Sequence, residues 1–164
     1  MGAAAAALAL AGSMSVSRNI LGLIEMIEAK AAVPFNWRGG ADCVSFAALA
    51  IKAQTGIDPR GTLRWASKRG ALAAVATEGG IEAAIDRRLS RVAPALARRG
   101  DIAGVPDAQL GIPLMVVEGA MLVGPGEGGL ERQPRSAMVM AWDAMSAVAI
   151  TLDSGLESDS GGAD

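Results

Sequence analysis

Residues 35–59 read FNWRGGADCVSFAALAIKAQTGIDP, a loop followed by a helix with defined ends. Asp42 is suited to the N-cap, because its carboxylate can accept hydrogen bonds from the unpaired amides of a first helical turn. The apolar residues that follow recur at three- and four-residue spacing, and Gly56 is suited to the C-terminal cap. The stretch therefore predicts a helix that starts at Asp42, places Cys43 in its first turn and ends at Gly56.

Further helices are predicted on both sides of this one. Residues 15–31 place apolar side chains on one helical face, and Ser15 or Ser17 can cap that helix. Residues 62–76 and 80–91 also have helical spacing. These segments place most of the predicted helix in the first half of the chain.

From Gly100 onward the sequence consists of short apolar runs between glycines and prolines, a pattern that indicates strands. Glu118-Gly119 predicts a two-residue hairpin turn. Residues 124–129 lack the lysine and hydroxyl of a phosphate-binding loop, so we expect a flexible connection there. Helices followed by a small antiparallel sheet predict an α+β fold. The candidate strands are residues 101–105, 112–117, 120–123 and 148–152.

The length of 164 residues suits one domain with its own core. We expect that domain over residues 15–153. Residues 1–14 are rich in alanine and lack the lysine or arginine of an export signal, so we favour a flexible extension over such a signal. Residues 154–164 are acidic and contain glycine, which predicts a disordered tail. No stretch is long and apolar enough to predict a membrane span.

Charge and metal-ligand content exclude several classes of function. The net charge is −2, which argues against a nucleic-acid partner. A single cysteine rules out an intrachain disulfide and, since the chain has no histidine, we expect neither a metal site nor a cofactor. A set of arginines is interpreted as a solvated helix face; its members are Arg87, Arg88, Arg91, Arg98 and Arg99.

Cys43 is the strongest candidate for a catalytic residue. The unpaired amides and the dipole at a helix N-terminus stabilise a thiolate, so this position is expected to lower the thiol pKa, as a nucleophile requires. The alternative is a small apolar residue that packs at the start of a core helix. Local sequence alone favours the packing role.

Several motifs, in order, resemble a family of small phage and prophage proteins that is related to NlpC-type cell-wall cysteine peptidases. The resemblance covers residues 31–143 and implies a papain-like, NlpC-type fold. The motifs are Phe35-Asn36-Trp37, Asp42-Cys43, Phe46, Thr55-Gly56-Ile57-Asp58-Pro59, Gly100-Asp101-Ile102, Leu110-Gly111-Ile112, Gly129-Leu130 and Ala141-Trp142.

The resemblance also implies where a catalytic site would lie. Cys43 matches the nucleophile, Gln109 stands where the peptidases have their histidine, and the third, orienting residue falls near Gly124. An amide does not titrate near neutral pH, so Gln109 cannot act as a base. Asp42 or Asp101 could replace it, but a carboxyl pKa of about 4 is poorly matched to a thiol near 8.5. We therefore expect Cys43 to be vestigial.

The resemblance implies a structural component of a phage tail, at the distal tip or hub. Its partners would be the hub, distal-tail and tape-measure proteins, and its location the virion after synthesis in the bacterial cytoplasm. One alternative is a cell-wall amidase or endopeptidase whose base comes from another subunit. Another is a peptidoglycan-binding module that uses Asp42 and Trp37 in the predicted cleft, although Trp37 is also suited to a purely packing role.

Overall fold

The computed structural model describes residues 17–38, 40–106 and 113–147. Several predictions concern residues outside these ranges: the extension, the cap Ser15, residue Gln109, the Leu110-Gly111-Ile112 motif, the strand over 148–152 and the tail. Among the described residues, no helix is long and apolar enough to cross a membrane.

The first helix, α1, covers Ile20–Lys30 and is capped by the side chain of Asn19, which accepts a hydrogen bond from the Gly22 amide. It begins later than predicted, because Asn19 and not a serine satisfies the amides of the first turn. Leu23 and Ile27 form its buried face. A Cβ at Gly22 would lie 2.6 Å from the carbonyl oxygen of Ala53, so this glycine permits α1 to approach the next helix closely.

The second helix, α2, covers Cys43–Thr55 and confirms the prediction at both ends. Asp42 is the N-cap, and its side chain accepts from the Ser45 amide. Gly56 is the C-cap with φ +82°, a left-handed conformation that favours glycine. The caps were predictable because each depends on residues adjacent to the helix.

Two short helices follow, α3 over Lys68–Ala76 and α4 over Ile81–Asp86. Both are shorter than predicted. Ser67 caps α3 and so fixes its start six residues into the predicted segment. The predicted helix over 80–91 ends early because Arg91 and Val92 leave it to pair with a later strand.

One six-stranded antiparallel sheet completes the fold. Its strands are β1 Arg91–Val92, β2 Ile102–Gly104, β3 Leu114–Val117, β4 Met121–Gly126, β5 Gly129–Pro134 and β6 Met140–Trp142. They lie side by side in the order β1-β6-β2-β3-β4-β5. The predictions for β2, β3 and β4 are confirmed in position, with shifted ends, whereas β1, β5 and β6 were not predicted.

The glycine-rich residues 124–129 are not a flexible connection, as was predicted. They form the end of the β4–β5 hairpin, whose strands pair as far as Gly126 and Gly129. Gly129 has φ +126°, and a Cβ there would lie 2.5 Å from the carbonyl oxygen of Ala31. The glycines therefore allow tight backbone packing. The β3–β4 turn also differs from the prediction by one residue, since the Glu118 amide donates to Met121 and the turn residues are 119–120.

The sheet separates two apolar clusters. Alternating residues of β3 show the division: Leu114 and Val116 face α2, whereas Met115 and Val117 face the other side. The helix-facing cluster is the larger and contains Phe46, Ile51 and Trp142, among others. Two short 3-10 turns, Pro94–Leu96 and Arg135–Ala137, lie beside the second cluster.

The arginines that were predicted to form one solvated helix face do not lie on a common helix. All follow α4 in the chain, and two of them form specific ion pairs. Arg88 binds Glu78 at 2.7 Å, and Arg91 binds both Asp86 and Glu82. Arg91 also lies over the ring of Trp142, 5.4 Å from its centroid. The contacts of Arg91 join α4 to β1 and β6, whereas the Arg88–Glu78 pair lies within the helical segment.

A buried polar network joins the two ends of the domain. The Arg18 guanidinium donates to Asp101 at 2.8 Å and to the side-chain oxygen of Gln54 at 3.1 Å. Gln54 in turn donates to the carbonyl of Gly100 at 2.9 Å. Asp101 is 1% exposed and also accepts the backbone amides of Arg98 and Ala144. The charge is therefore paired and fully hydrogen-bonded, as a buried carboxylate requires.

We predict that Gly100→Ala lowers the free energy of unfolding by about 2–4 kcal/mol. Gly100 has φ +93°, and a Cβ there would clash with the Gln54 side chain and lie 2.7 Å from Arg18. Urea denaturation measures the change. The matched control is Gly128→Ala, where no atom lies within 4 Å of the added Cβ. Equal unfolding midpoints for the two variants would contradict the prediction.

Candidate functional site

The structure places Cys43 in the first turn of α2, against the start of β3. The side chain is half-buried, and the backbone amide of Leu114 hydrogen-bonds the sulfur. Leu114 begins β3, so a helix start and a strand start meet at the thiol. The position of Cys43 in the first turn of the helix is the one that the sequence predicted.

Burial raises the pKa of the Cys43 thiol above its ordinary value. The negative charge of Asp42 raises the pKa further, while the backbone amides of Leu114, Val44 and Cys43 lower it by less. The expectation that the helix N-terminus would lower the pKa is therefore wrong in its net direction. The amides do favour the thiolate, but the loss of hydration outweighs them.

Asp42 is fully buried and its carboxylate is occupied by donors from the chain itself. One oxygen accepts the Ser45 amide at 2.9 Å; the other accepts the Ser45 hydroxyl at 2.7 Å and the Trp65 indole N–H at 3.0 Å. A ligand in the predicted cleft would have to displace one of these donors to bind Asp42. The carboxylate caps α2 and fixes Trp65, and it has no role as a base in this arrangement.

Asp101 lies at the opposite end of α2 from the thiol. It is joined through Arg18 to Gln54, which is eleven residues along the helix from Cys43. At 1.5 Å per residue this places the network about 16 Å from the start of the helix. Asp101 therefore cannot take a proton from Cys43, in agreement with the expectation that a carboxylate is a poor substitute for the missing base.

Trp37 is half-buried in the loop that leads to Asp42. Its ring packs edge-to-face on Phe35, with centroids 5.0 Å apart and planes at 85°. A bridge between Asn36 and Ala41 closes the loop, and the Phe35 amide donates to Gly126 at 2.7 Å. The loop thus connects the end of β4 with the start of α2. The aromatic pair lies on the chain segment that borders Cys43.

The position assigned to the third catalytic residue faces away from the thiol. A Cβ on Gly124 would contact the side chain of Met115, which belongs to the cluster on the far side of the sheet. On the same strand, Val123 belongs to the helix-facing cluster. The residue that shares a sheet face with α2 is therefore apolar and can orient no base.

Gln109 lies outside the described residues, in the connection between β2 and β3. The Val105 amide donates to Pro113 at 3.1 Å, so the two strands pair on either side of this connection. The assignment of Gln109 to the histidine position stays a prediction.

The sequence of residues 21–144 matches a family described as a domain of unknown function, DUF6950. The chain belongs to the DUF6950 family. Its structure is similar to the NlpC/p60 domain of the peptidoglycan hydrolase SagA, with a TM-score of 0.50 and 16% sequence identity. The similarity covers 75% of this chain and 97% of that domain. No curated protein matches the sequence.

The fold of this DUF6950 chain is thus α+β and papain-like, of the NlpC type, as the sequence predicted. At 16% identity the likeness shows the fold and not the activity. Sequence reasoning missed two residues of the site, Trp65 and Leu114. Trp65 carried no signal in the sequence, because its indole meets Asp42 only through a tertiary contact 23 residues along the chain. Leu114 acts through its backbone, which no side-chain motif reveals.

We predict that Cys43 is alkylated by iodoacetamide with a pH midpoint above about 8.5, because burial favours the neutral thiol. The rate is measured from pH 6 to pH 11 by mass spectrometry. The control is Ser17→Cys in a Cys43→Ala background, which places a thiol on an exposed residue. A midpoint for Cys43 below that of the control would show that the helix N-terminus dominates after all.

We predict that Asp42→Ala lowers the free energy of unfolding by about 2–4 kcal/mol, since it removes a cap and leaves the donors of Ser45 and Trp65 unpaired. Asn19→Ala is the matched control, because it removes an exposed cap that has a single bond. We expect that variant to lose about 1 kcal/mol. Thermal and urea unfolding measure both. Equal losses would show that the Asp42 network contributes no more than an ordinary cap.

Proposed function

We propose that the chain is a non-catalytic structural component of a phage or prophage-derived tail, built on a degenerate cysteine-peptidase fold. The observation that supports a non-catalytic role is that nothing in the described part of the chain activates the Cys43 thiol. Its pKa is raised, and the 164-residue sequence contains no histidine to deprotonate it. A neutral thiol without a base is a poor nucleophile.

The two carboxylates considered as substitute bases support the same conclusion. Asp42 caps α2 and Asp101 is paired with Arg18, so both are committed to the fold. General acid–base help contributes about a hundred- to ten-thousand-fold to a rate. A site that lacks it, and that has apolar Val123 facing the helix, has lost the parts that make an NlpC-type fold a peptidase.

The tail assignment has separate support. The loop and helix motif around Trp37 and Cys43 resembles small phage and prophage proteins, which implies a position at the distal tip or hub of a tail. The partners would then be the hub, distal-tail and tape-measure proteins, and the chain would reside in the virion.

The second candidate is a peptidoglycan-binding module that acts as a phage penetrates the cell wall. The observation that favours it is the half-buried Phe35–Trp37 pair in the loop that leads to Asp42 and Cys43, since an aromatic ring that retains an open face can stack on a sugar or peptide. The likeness to a domain of a peptidoglycan hydrolase suits the same ligand. An active amidase or endopeptidase requires a base from another subunit.

Peptidoglycan digestion separates the structural and binding roles from the enzymatic one. We predict that the purified chain releases no more muropeptide from cell-wall sacculi than its Cys43→Ala variant does, as measured by chromatography and mass spectrometry. An NlpC/p60 hydrolase serves as the positive control. Release by the unmodified chain that Cys43→Ala abolishes would overturn the non-catalytic proposal.

Two further measurements separate the remaining roles. Quantitative mass spectrometry of purified particles should recover the chain at a fixed copy number, and a deletion should be complemented by Cys43→Ala as well as by the unmodified gene. Absence from the particles would overturn the tail role. Calorimetric binding of muropeptides that Trp37→Ala abolishes, with Leu96→Ala as the surface control, would favour the binding module.

A further inference from the structure

Arginines surround the turn between β3 and β4, at one end of the sheet. Arg132 binds Glu118, the residue before the turn, at 2.8 Å. The hydrogen bonds from Arg132 lower the pKa of Glu118, and the charge of Arg99 lowers it further, so Arg99 also lies near the turn. The Arg135 amide donates to the carbonyl of Ala120 within the turn at 3.0 Å. The arginine patch is the set formed by these side chains and their neighbour in the chain: Arg98, Arg99, Arg132 and Arg135.

Arg135 differs from the other half-buried arginines in what it binds. Among the described residues, each of the others forms an ion pair with a carboxylate: Arg18, Arg60 and Arg88. The Arg135 guanidinium instead donates to the backbone carbonyls of Gly119, Pro94 and Ala97. Carbonyls hold the guanidinium in place but do not neutralise its charge. The fold therefore presents an ordered cation without an anion from the described part of the chain.

The acidic groups near the arginine patch do not compensate for it. Glu118 is bound to Arg132. Asp101 accepts the backbone amide of Arg98, but its carboxylate is buried and already ion-paired. Arg98 and Arg99 are exposed and form no ion pair with any described residue. The patch thus has a surplus of positive charge in a chain whose net charge is −2, and such a surplus attracts an anionic partner.

Two exposed apolar side chains adjoin the arginine patch. Leu96 is 70% exposed and lies in the 3-10 turn whose Pro94 carbonyl binds Arg135. Met121 is 39% exposed and directly follows the β3–β4 turn. Arginine and methionine are enriched where proteins bind one another, whereas nucleic acids are bound mainly through their phosphate charges. The partner that suits this surface is therefore a protein segment that carries both carboxylates and an apolar side chain.

We propose that the arginine patch and Leu96 form a docking surface for an acidic segment of a partner protein. Carboxylates of the segment bind Arg135 and the exposed Arg98 and Arg99, and an apolar side chain of the segment packs on Leu96. The planar guanidinium suits this role, because it binds a carboxylate through two parallel hydrogen bonds. The inference does not rest on the proposed tail function.

Calorimetry with synthetic peptides tests the docking in the full-length chain. One peptide has glutamates around a central leucine, and a second has serine in place of that leucine. We expect the leucine peptide to bind, and the double variant Arg98→Glu, Arg99→Glu to weaken its binding by about tenfold. The matched control reverses two exposed cations on α3, Lys68→Glu and Arg69→Glu, and should change the affinity by less than about twofold. Urea unfolding verifies that both double variants are folded.

Two further readouts separate docking from attraction between charges alone. Leu96→Ser should weaken the leucine peptide by about threefold and leave the serine peptide unchanged. Its control is Leu21→Ser, since Leu21 is 74% exposed on α1. In NMR spectra the Nε–H signal of Arg135, identified by its loss in Arg135→Lys, should shift when the leucine peptide is added.

Several outcomes would overturn the proposal. It is wrong if the leucine peptide does not bind, if both double variants weaken it equally, if Leu96→Ser has no effect, or if the Arg135 signal does not move. Tighter binding of polyphosphate than of the leucine peptide would make a phosphate polymer the occupant. Peptide binding that occurs only after residues 154–164 are removed would make the chain's own acidic tail the occupant.

Discussion

The buried carboxylate of Asp42 is the constraint on which the geometry around the thiol depends. It caps α2 through Ser45 and binds the indole of Trp65, so one charged group fixes both the start of the helix and the segment that leads to α3. A buried carboxylate retains its charge only while such donors remain in place. Its charge adds to the burial that disfavours the Cys43 thiolate. The group that makes the helix start well ordered thus also makes its cysteine less reactive.

The two ends of α2 show the same use of charge. At the start, the carboxylate of Asp42 accepts hydrogen bonds from Ser45 and Trp65. At the end, the carboxylate of Asp101 accepts hydrogen bonds from Arg18 and from the backbone amides of Arg98 and Ala144. Neither carboxylate has capacity left for proton transfer at Cys43. The fold is of the NlpC type, with a helix start against a strand start, and both carboxylates are bound within it.

The accuracy of the sequence predictions followed the range of the interactions that decide each feature. The limits of α2 were predictable because Asp42 and Gly56 act on their own neighbours. The strands β1, β5 and β6 were not, since two of them lie at the sheet edges and each is defined by its pairing partner. The glycines of 124–129 resembled a mobile linker, yet they serve the close contact of a hairpin with Ala31.

For the site, the identity of Cys43 and its place in the helix were predictable, but the direction in which its thiol pKa shifts was not. A helix start indicates amides that lower a thiol pKa, and sequence patterns give no measure of the burial that opposes them. Likewise, the face toward which Gly124 points depends on the register of β4, which only the paired strands define.

The Arg18 network has a consequence for how this chain folds. Arg18 bonds to Asp101 and to Asp143, residues 83 and 125 positions later in the sequence. During synthesis the arginine emerges long before either carboxylate, so the ends of the domain cannot be joined until β6 has left the ribosome. Contacts of such long range slow folding and make it cooperative. The domain should therefore complete its folding only after β6 has been synthesised, and its N-terminal helices form their last long-range contacts at that point.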